Sequence, residues 1–573
     1  MVNRIISRIA LPIRDLIYRP VRSLHQAAYL LALFAFLSQL LALVRDRLLA
    51  ASFGAGHTLD VYYAAFRIPD LLFVTIASLL SLYALMPVLT RLESESAEKM
   101  IAFLRETLFG FFAVMALIAL IAAVLAPFLI RLVAPGFTAG TPEASQLVLL
   151  TRILLLQPIL LGGSNILSNL TQMRDRFTLY AVSPILYNLG IILGILFFYP
   201  QLGIVGLGWG VVLGAAMHFG VQVPFFLSQP SSAFLPVREA LAHVKEVLML
   251  SVPRTLALAS TQLSLFALTA LASFLAAGSI SIFMFAYNLQ AVPVAIIGIS
   301  YSVAAFPTLA RLYANGALEQ LAAHAERALR SILFWSIPIT VLTIVLRAQL
   351  VRVILGAGAF DWSATRLTAA ALALFVLSLV AQNATLLISR TYYAAGESRR
   401  PFYWGMVDVF VSVGAAVALA GLFHLFAPLR YFVEALLRVD NLAGTTVLML
   451  ALGLALGSIA EAVVGYRAFV RDFKVPTARL ARLAWQSFGA SVIGGAAAYA
   501  ALALMGSLVP LSTTLAILLQ GVFGGVVGLA VTGAVLAALK NAELAEVLDA
   551  FRRRLAPAEA VARPALEVTD VES

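Results

Sequence analysis

Arg45, Asp46 and Arg47 sit consecutively inside an apolar run that starts near residue 27, and Arg67 and Asp70 follow in the next run. Asp408 and Glu461 are lone carboxylates in later apolar runs. A fixed charge in the middle of hydrocarbon costs about 2.5 to 3.5 kcal/mol even on permissive scales, so such residues pair, line a wet cavity or meet a substrate. Helical positions turn by about 100° per residue, so the three consecutive charges cannot share one face. The expected arrangement is that Asp46 holds Arg45 toward a substrate path while Arg47 reaches out to the interface as a passenger. Arg67 is expected at an outer portal. Asp408 and Glu461 are candidate sites for proton or sodium coupling. Of the other polar residues within apolar runs, Arg152 and Arg254 are cations, and Asn188, Gln290 and Asn383 are amides expected to bond between helices at about 1 kcal/mol or less each.

These charges need a scaffold, and composition defines it. Hydrophobic residues make up 62% of 573, charged residues 12%, and mean hydropathy is +0.97, which places the chain among polytopic membrane proteins. Apolar runs of about 20 residues, enough to cross a hydrocarbon layer about 30 Å thick, recur along the chain. About fourteen are expected, near 27–52, 60–89, 107–133, 147–171, 178–199, 203–227, 246–275, 279–309, 329–355, 365–393, 402–426, 445–468, 481–506 and 511–538. They are too long for barrel strands, so they are helices, and no soluble domain is left over.

Lys and Arg in the short connections alternate by side. One side holds Arg91, Lys99, Arg174, Arg176, Arg311, Arg399, Arg400, Arg471 and Lys540, whereas turns such as 51–58, 199–203 and 276–278 hold none. The basic side is expected to be cytoplasmic, with both termini inside and the chain in a bacterial cytoplasmic membrane. The net charge of +11 reflects this bias and attraction to anionic lipid; nucleic-acid binding is not expected. Residues 5–14 form a basic amphipathic stretch suited to the inner leaflet rather than a signal peptide. The stretch from Ala556 onward has the composition of a disordered tail. With no cysteine, thiolate chemistry and Cys-bound metal are excluded, and six histidines show no metal spacing.

An internal repeat orders the spans. Leu125–Val133 leading to Gly136-Phe137 matches Leu346–Ile354 leading to Gly358 and Phe360, and Met86–Leu92 matches Phe306–Leu312. Both share an offset of about 220 residues, which points to duplicated halves of six spans each, related by an axis along the membrane normal. The expected division is a basic segment at 1–26, an N-lobe at 27–230, a C-lobe at 231–470, two further helices at 471–540 and a tail at 541–573. The two further helices are rich in small residues, which favours tight packing, with a lipid-facing groove as the alternative.

Several motifs in order then carry a resemblance. Arg45-Asp46-Arg47-Leu48-Leu49-Ala50-Ala51-Ser52-Phe53-Gly54-Ala55-Gly56, Asp60 to Phe66, Phe66 to Leu71, Ala134-Pro135-Gly136-Phe137, Gly358-Ala359-Phe360-Asp361 and Ser389 to Glu397 together resemble the MurJ (MviN) lipid II flippases of the MOP transporter superfamily. The resemblance implies an all-α fold of fourteen membrane helices, two pseudo-symmetric six-helix lobes plus two C-terminal helices around a cationic cavity. It also implies a role in cell-wall synthesis, with proteins of that process as candidate partners. Departures from the family pattern are plain. Gln39 stands where the family's first-span cavity arginine does, Phe73, Val74 and Ser78 replace an arginine pair and a glutamate, Asn288 replaces an arginine, and Ala267 falls at the family's seventh-span aspartate.

By this resemblance the chain moves a polyprenyl-pyrophosphate-linked headgroup across the bilayer without covalent change and needs no cofactor beyond an ion gradient or the membrane potential. Arg45 supplies the phosphate contact, since a guanidinium stays charged and binds phosphate oxygens in pairs. Asp46, Arg67 and Asn288 complete the expected site, with Arg254 standing in for a missing arginine. The alternatives are an exporter of another polyprenyl-pyrophosphate saccharide and a non-transporting scaffold. A membrane enzyme is disfavoured, because the longest outer connection, 427–444, offers only Glu434 and Asp440.

Overall fold

The computed structural model describes residues 24–80, 82–229, 236–510 and 513–555. The basic stretch at 5–14 and the tail from Ala556 lie outside the described residues. All regular structure among the described residues is helical. Among the described residues eleven helical segments are long and apolar enough to cross a membrane. The expected first, second and seventh spans correspond to three further segments. Leu24–Phe53 carries the Arg45–Arg47 charges, His57–Glu95 is broken into short helices, and Val237–Ala272 is apolar only over Ala259–Ala272.

The repeat foreseen in sequence recurs in packing. Leu24–Phe53 lies against Phe177–Leu193, and Val237–Ala272 lies in the same way against Arg399–Leu425. Phe177–Leu193 packs on Ile204–Gly220 as Arg399–Leu425 packs on Val447–Phe473. The second and eighth spans, at equivalent places, are both irregular partway along: a 3-10 turn at Ala77–Leu80 and a π segment at Val294–Ile299. The π segment directly follows Pro293, whose missing N–H interrupts the helical ladder.

One apolar core runs across both lobes toward the side of the Gly54, Gly278 and Gly358 turns, the side that the expected orientation makes the outer one, with Tyr63 edge-on to Phe285 at 5.6 Å. Toward the inner side, where Arg91, Arg311 and Arg400 lie, the core divides into two clusters. One is built around Phe103 and Leu104 with Val247 of the seventh span, the other around Tyr392, Trp404 and Phe469. The seventh span therefore carries the C-lobe onto the N-lobe's inner cluster, where Arg91 also pairs with Glu246 at 2.7 Å.

The outer seam is closed by backbone contacts that leave no room for side chains. Ala359 N–H donates to Ala51 O at 2.8 Å, and Gly136 N–H to Ser273 Oγ at 2.9 Å. Gly54 and Gly358 adopt positive φ (63° and 56°), and a Cβ on Gly358 would lie 2.3 Å from Ala51 O, so only glycine fits. The buried carboxylate of Asp60 crosses the seam to accept from Gly278 N–H (2.6 Å) and Ser281 N–H (2.8 Å) at the start of the eighth span, where the helix dipole favours negative charge.

Ala478–Leu508 and Thr514–Ala538 pack on each other and on Leu318–Ile354 through small residues. A Cβ on Gly494 would lie 2.0 Å from Thr532 Oγ1, and one on Gly528 2.6 Å from Leu342 Cδ2. These contacts are the tight packing that small residues predict. An amphipathic helix, Ala542–Leu555, follows on the inner side, tied by Glu543 to Arg330 Nη1 (2.8 Å).

Candidate substrate site

The first helix enters between the lobes with Asp46 4% exposed and Arg45 partly exposed. Arg45 donates through Nε (2.9 Å) and Nη2 (2.8 Å) to Asp46 Oδ1, and through Nη1 to Asn188 Oδ1 (3.0 Å). Asn188 is turned by its own donations to Pro184 O (3.1 Å) and Ser38 Oγ (3.4 Å). From the opposite lobe Asn288 Nδ2 donates to Asp46 Oδ2 at 3.1 Å. The expected Arg45–Asp46 pairing is present, and Asn288 belongs to the same network. Asn188 is a member that residue type alone did not single out from the other amides.

Arg47 is not an interfacial passenger. It donates to the carbonyls of Val353 and, at 3.4 Å, Ile354, at the C-terminal end of Leu318–Ile354. Unpaired carbonyls and the negative end of the dipole make that position suited to a guanidinium. The contact crosses from one lobe to the other, over 306 residues of sequence, and no local pattern announces it.

Arg67 is buried (5% exposed) rather than at a portal rim. Its Nη2 lies 3.9 Å from Asp70, its Nε donates to Tyr63 O at 3.4 Å, and its Nη1 has no hydrogen-bond partner. It occupies the place in the N-lobe that Asn288 occupies in the C-lobe, at the separation of 221 residues that also relates Asp60 to Ser281. The side chain of Arg254 lies outside the described residues.

Asp408 and Glu461 are not isolated from each other. Both line one cavity of about 350 Å³ within the C-lobe, together with Tyr287, Gln382, Arg390 and Ser458. Asp408, 6% exposed, accepts from Ser264 Oγ (2.8 Å), Ser412 Oγ (3.3 Å) and Ser458 Oγ (3.3 Å), a serine cradle not foreseen from sequence. Tyr287 is the sequence neighbour of Asn288, whose side chain belongs to the Arg45 network. Among the described residues no group of three His, Asp or Glu side chains gathers as a metal site.

A two-lobed helical bundle with an ionic network between its lobes and a carboxylate cavity inside one of them defines a transporter of the MOP type. Solved structures with this fold include one described as lipid II flippase MurJ in an inward closed conformation (TM-score 0.65, 18% identity, 90% of this chain and 100% of that one). Another is an inward-facing multidrug resistance MATE transporter of the MOP superfamily (TM-score 0.62, 16% identity, 76% and 94%). The family model described as lipid II flippase MurJ matches residues 49–519, and the chain belongs to that family. Among curated relatives, the lipid II flippase MurJ of Burkholderia cenocepacia is 26% identical over 76% of this chain and 84% of its own length. The probable lipid II flippase MurJ of Buchnera aphidicola is 29% identical over 65% and 73%. Membership answers the expectation of transport rather than enzymatic catalysis.

Proposed function

We propose that this chain carries lipid II from the inner to the outer leaflet by alternating access, with Arg45 as the contact for the pyrophosphate. The observation that supports this reading is the guanidinium of Arg45, aimed between the lobes by Asp46 and Asn188 and tied through Asp46 to Asn288 of the other lobe. An incoming phosphate competes with Asp46 for Arg45 and loosens the link to Asn288, which couples loading to movement of one lobe against the other. Arg67, with an unpartnered buried Nη1, is a second donor for the headgroup.

Asp408 and Glu461 act as the coupling site, exchanging a proton or Na+ within the C-lobe cavity as the carrier resets. The chain resides in a bacterial cytoplasmic membrane with both termini inside, and works beside proteins of cell-wall synthesis. Outward transfer of each negative charge gains about 2.3 kcal/mol per 100 mV of potential. The deciding experiment replaces Arg45 by Ala in cells depleted of their own flippase. No rescue at normal expression is the expected result, and full rescue rejects the assignment.

A second reading has one observation in its favour. With Gln39, Phe73 and Asn288 at family arginine positions the site is poorer in cations, which suits a different polyprenyl-pyrophosphate saccharide. Lipid mass spectrometry of material pulled down with the protein from native membranes distinguishes the two cargoes.

A further inference from the structure

The connection between Arg399–Leu425 and Val447–Phe473 folds into a helix, Ala427–Leu437, which ends at Arg438 in a left-handed conformation (φ 60°). Pro428 in its first turn fixes the start. Its polarity is inverted relative to a helix lying on a water-soluble protein. The protein-facing side holds the Glu434 carboxylate, 5% exposed, which accepts from Thr445 Oγ1 (2.7 Å) and pairs with Arg430 (3.2 Å). The outward side holds Tyr431, Phe432 and Leu436, 63%, 64% and 64% exposed. At about 100° per residue these three fall in one sector of the helix, so the apolar surface is contiguous. A helix of this kind, set between the ends of two membrane helices, lies in the bilayer interface. Trp362 and Tyr499, both exposed on neighbouring helices, are residues that mark the same level.

Beside this helix is a group of guanidinium ions. Arg366 donates through Nε (2.9 Å) and Nη2 (2.5 Å) to the carbonyl of Arg438, and Arg438 Nη2 donates to Tyr499 OH at 3.1 Å. Arg347 donates to Ile344 O (2.8 Å) and lies within electrostatic reach of Arg438. Among the described residues none of these three has a carboxylate partner within ion-pair distance, whereas Arg430, one turn away, has Glu434. Like charges gathered at the edge of hydrocarbon repel one another, and an anion with several oxygens relieves the repulsion. A phosphate matches guanidinium geometry.

We propose that Arg347, Arg366 and Arg438 bind the phosphate of a membrane lipid whose acyl chains lie along the Tyr431–Phe432–Leu436 face. The site is distant in sequence and in partners from the Arg45 network and does not depend on the transport reading. Its leaflet is the one on the side of the Gly54 and Gly358 turns.

The test uses the full chain, purified, stripped of lipid in neutral detergent and titrated with phosphatidylglycerol under native mass spectrometry. Arg366→Gln with Arg438→Gln is expected to weaken the tightest lipid-binding step by about tenfold or more, the scale of a lost charged hydrogen bond, while Arg91→Gln leaves it unchanged. Because Arg366 also ties two segments together, Arg347→Gln, whose hydrogen bond is only to its own helix, serves as the variant without that structural role. A several-fold loss is expected there, and unchanged binding in both variants overturns the proposal. Millimolar inorganic phosphate is expected not to displace the lipid; displacement would mean that the arginines take a free anion and not a lipid. The chain has no cysteine, so Phe432→Cys gives a single spin label. In nanodiscs it is expected to meet oxygen more often than an aqueous nickel chelate. Preferential collision with the chelate, or shielding from both as under a protein partner, overturns the assignment of the face to lipid.

Discussion

Asp46 divides its carboxylate between the lobes: Oδ1 accepts twice from Arg45, and Oδ2 accepts from Asn288 of the opposite lobe at 3.1 Å. The first bond pair is charged, the second neutral, and their removal should differ in cost. Asn288→Ala is expected to lower stability by about 1 kcal/mol, Asp46→Asn by about 2 to 3 kcal/mol, because the latter leaves Arg45 without its counter-charge. Thermal unfolding of the two variants in detergent reads this order. If Asn288→Ala is the more damaging, Asp46 does not organise the network.

Asp60 should control the outer seam. Its two short bonds to Gly278 and Ser281 N–H hold the start of the eighth span against the second. In Asp60→Asn the charge is lost and one oxygen becomes an NH2 group facing an N–H. The closed-to-open ratio is expected to fall by about ten- to a hundredfold. Cysteines placed at Ala51 and Ala359, whose backbones now touch, report this as slower cross-linking; an unchanged rate contradicts a gating role for Asp60.

Asp408→Asn keeps a group that the three serines can bond while removing its ability to exchange a cation. Transport by this variant, assayed in vesicles, is expected to lose its dependence on the H+ or Na+ gradient while lipid binding stays within a few-fold of normal. Retained gradient dependence would place coupling elsewhere.

Gly494→Leu distinguishes packing from a groove in the last two membrane helices. With Thr532 Oγ1 already 2.0 Å from where a Cβ would be, a leucine is expected to destabilise by about 1 to 3 kcal/mol. A variant with native melting behaviour but altered transport would instead favour a lipid-lined groove.

Helical spans and the duplicated halves were legible in the chain because both are carried by local hydropathy and by short motifs at a fixed offset. The Arg45–Asp46 bond was legible for the same reason, since neighbours in sequence had to neutralise each other. Arg47 was misread because its acceptors belong to a helix end about three hundred residues away. Asp60, used only as part of a motif, has its whole role across the lobe seam. The serine cradle of Asp408 draws on three helices, and serines in apolar spans are too common to stand out. Residues 427–444 read as a loop because the apolar side chains of Ala427–Leu437 face outward, and a short amphipathic helix at an interface has no long run to reveal it.

Arg45 and Asp46 together sum to zero charge, and this has an electrical consequence. When no substrate is present, the carrier holds its own counter-ion, so this pair moves no net charge as the lobes rock back. On the proposed role of Arg45, a phosphate that displaces Asp46 does not remove the carboxylate, and the loaded pair travels with the cargo's full negative charge. On that proposal the membrane voltage acts at this site on the delivery stroke and is silent on the return.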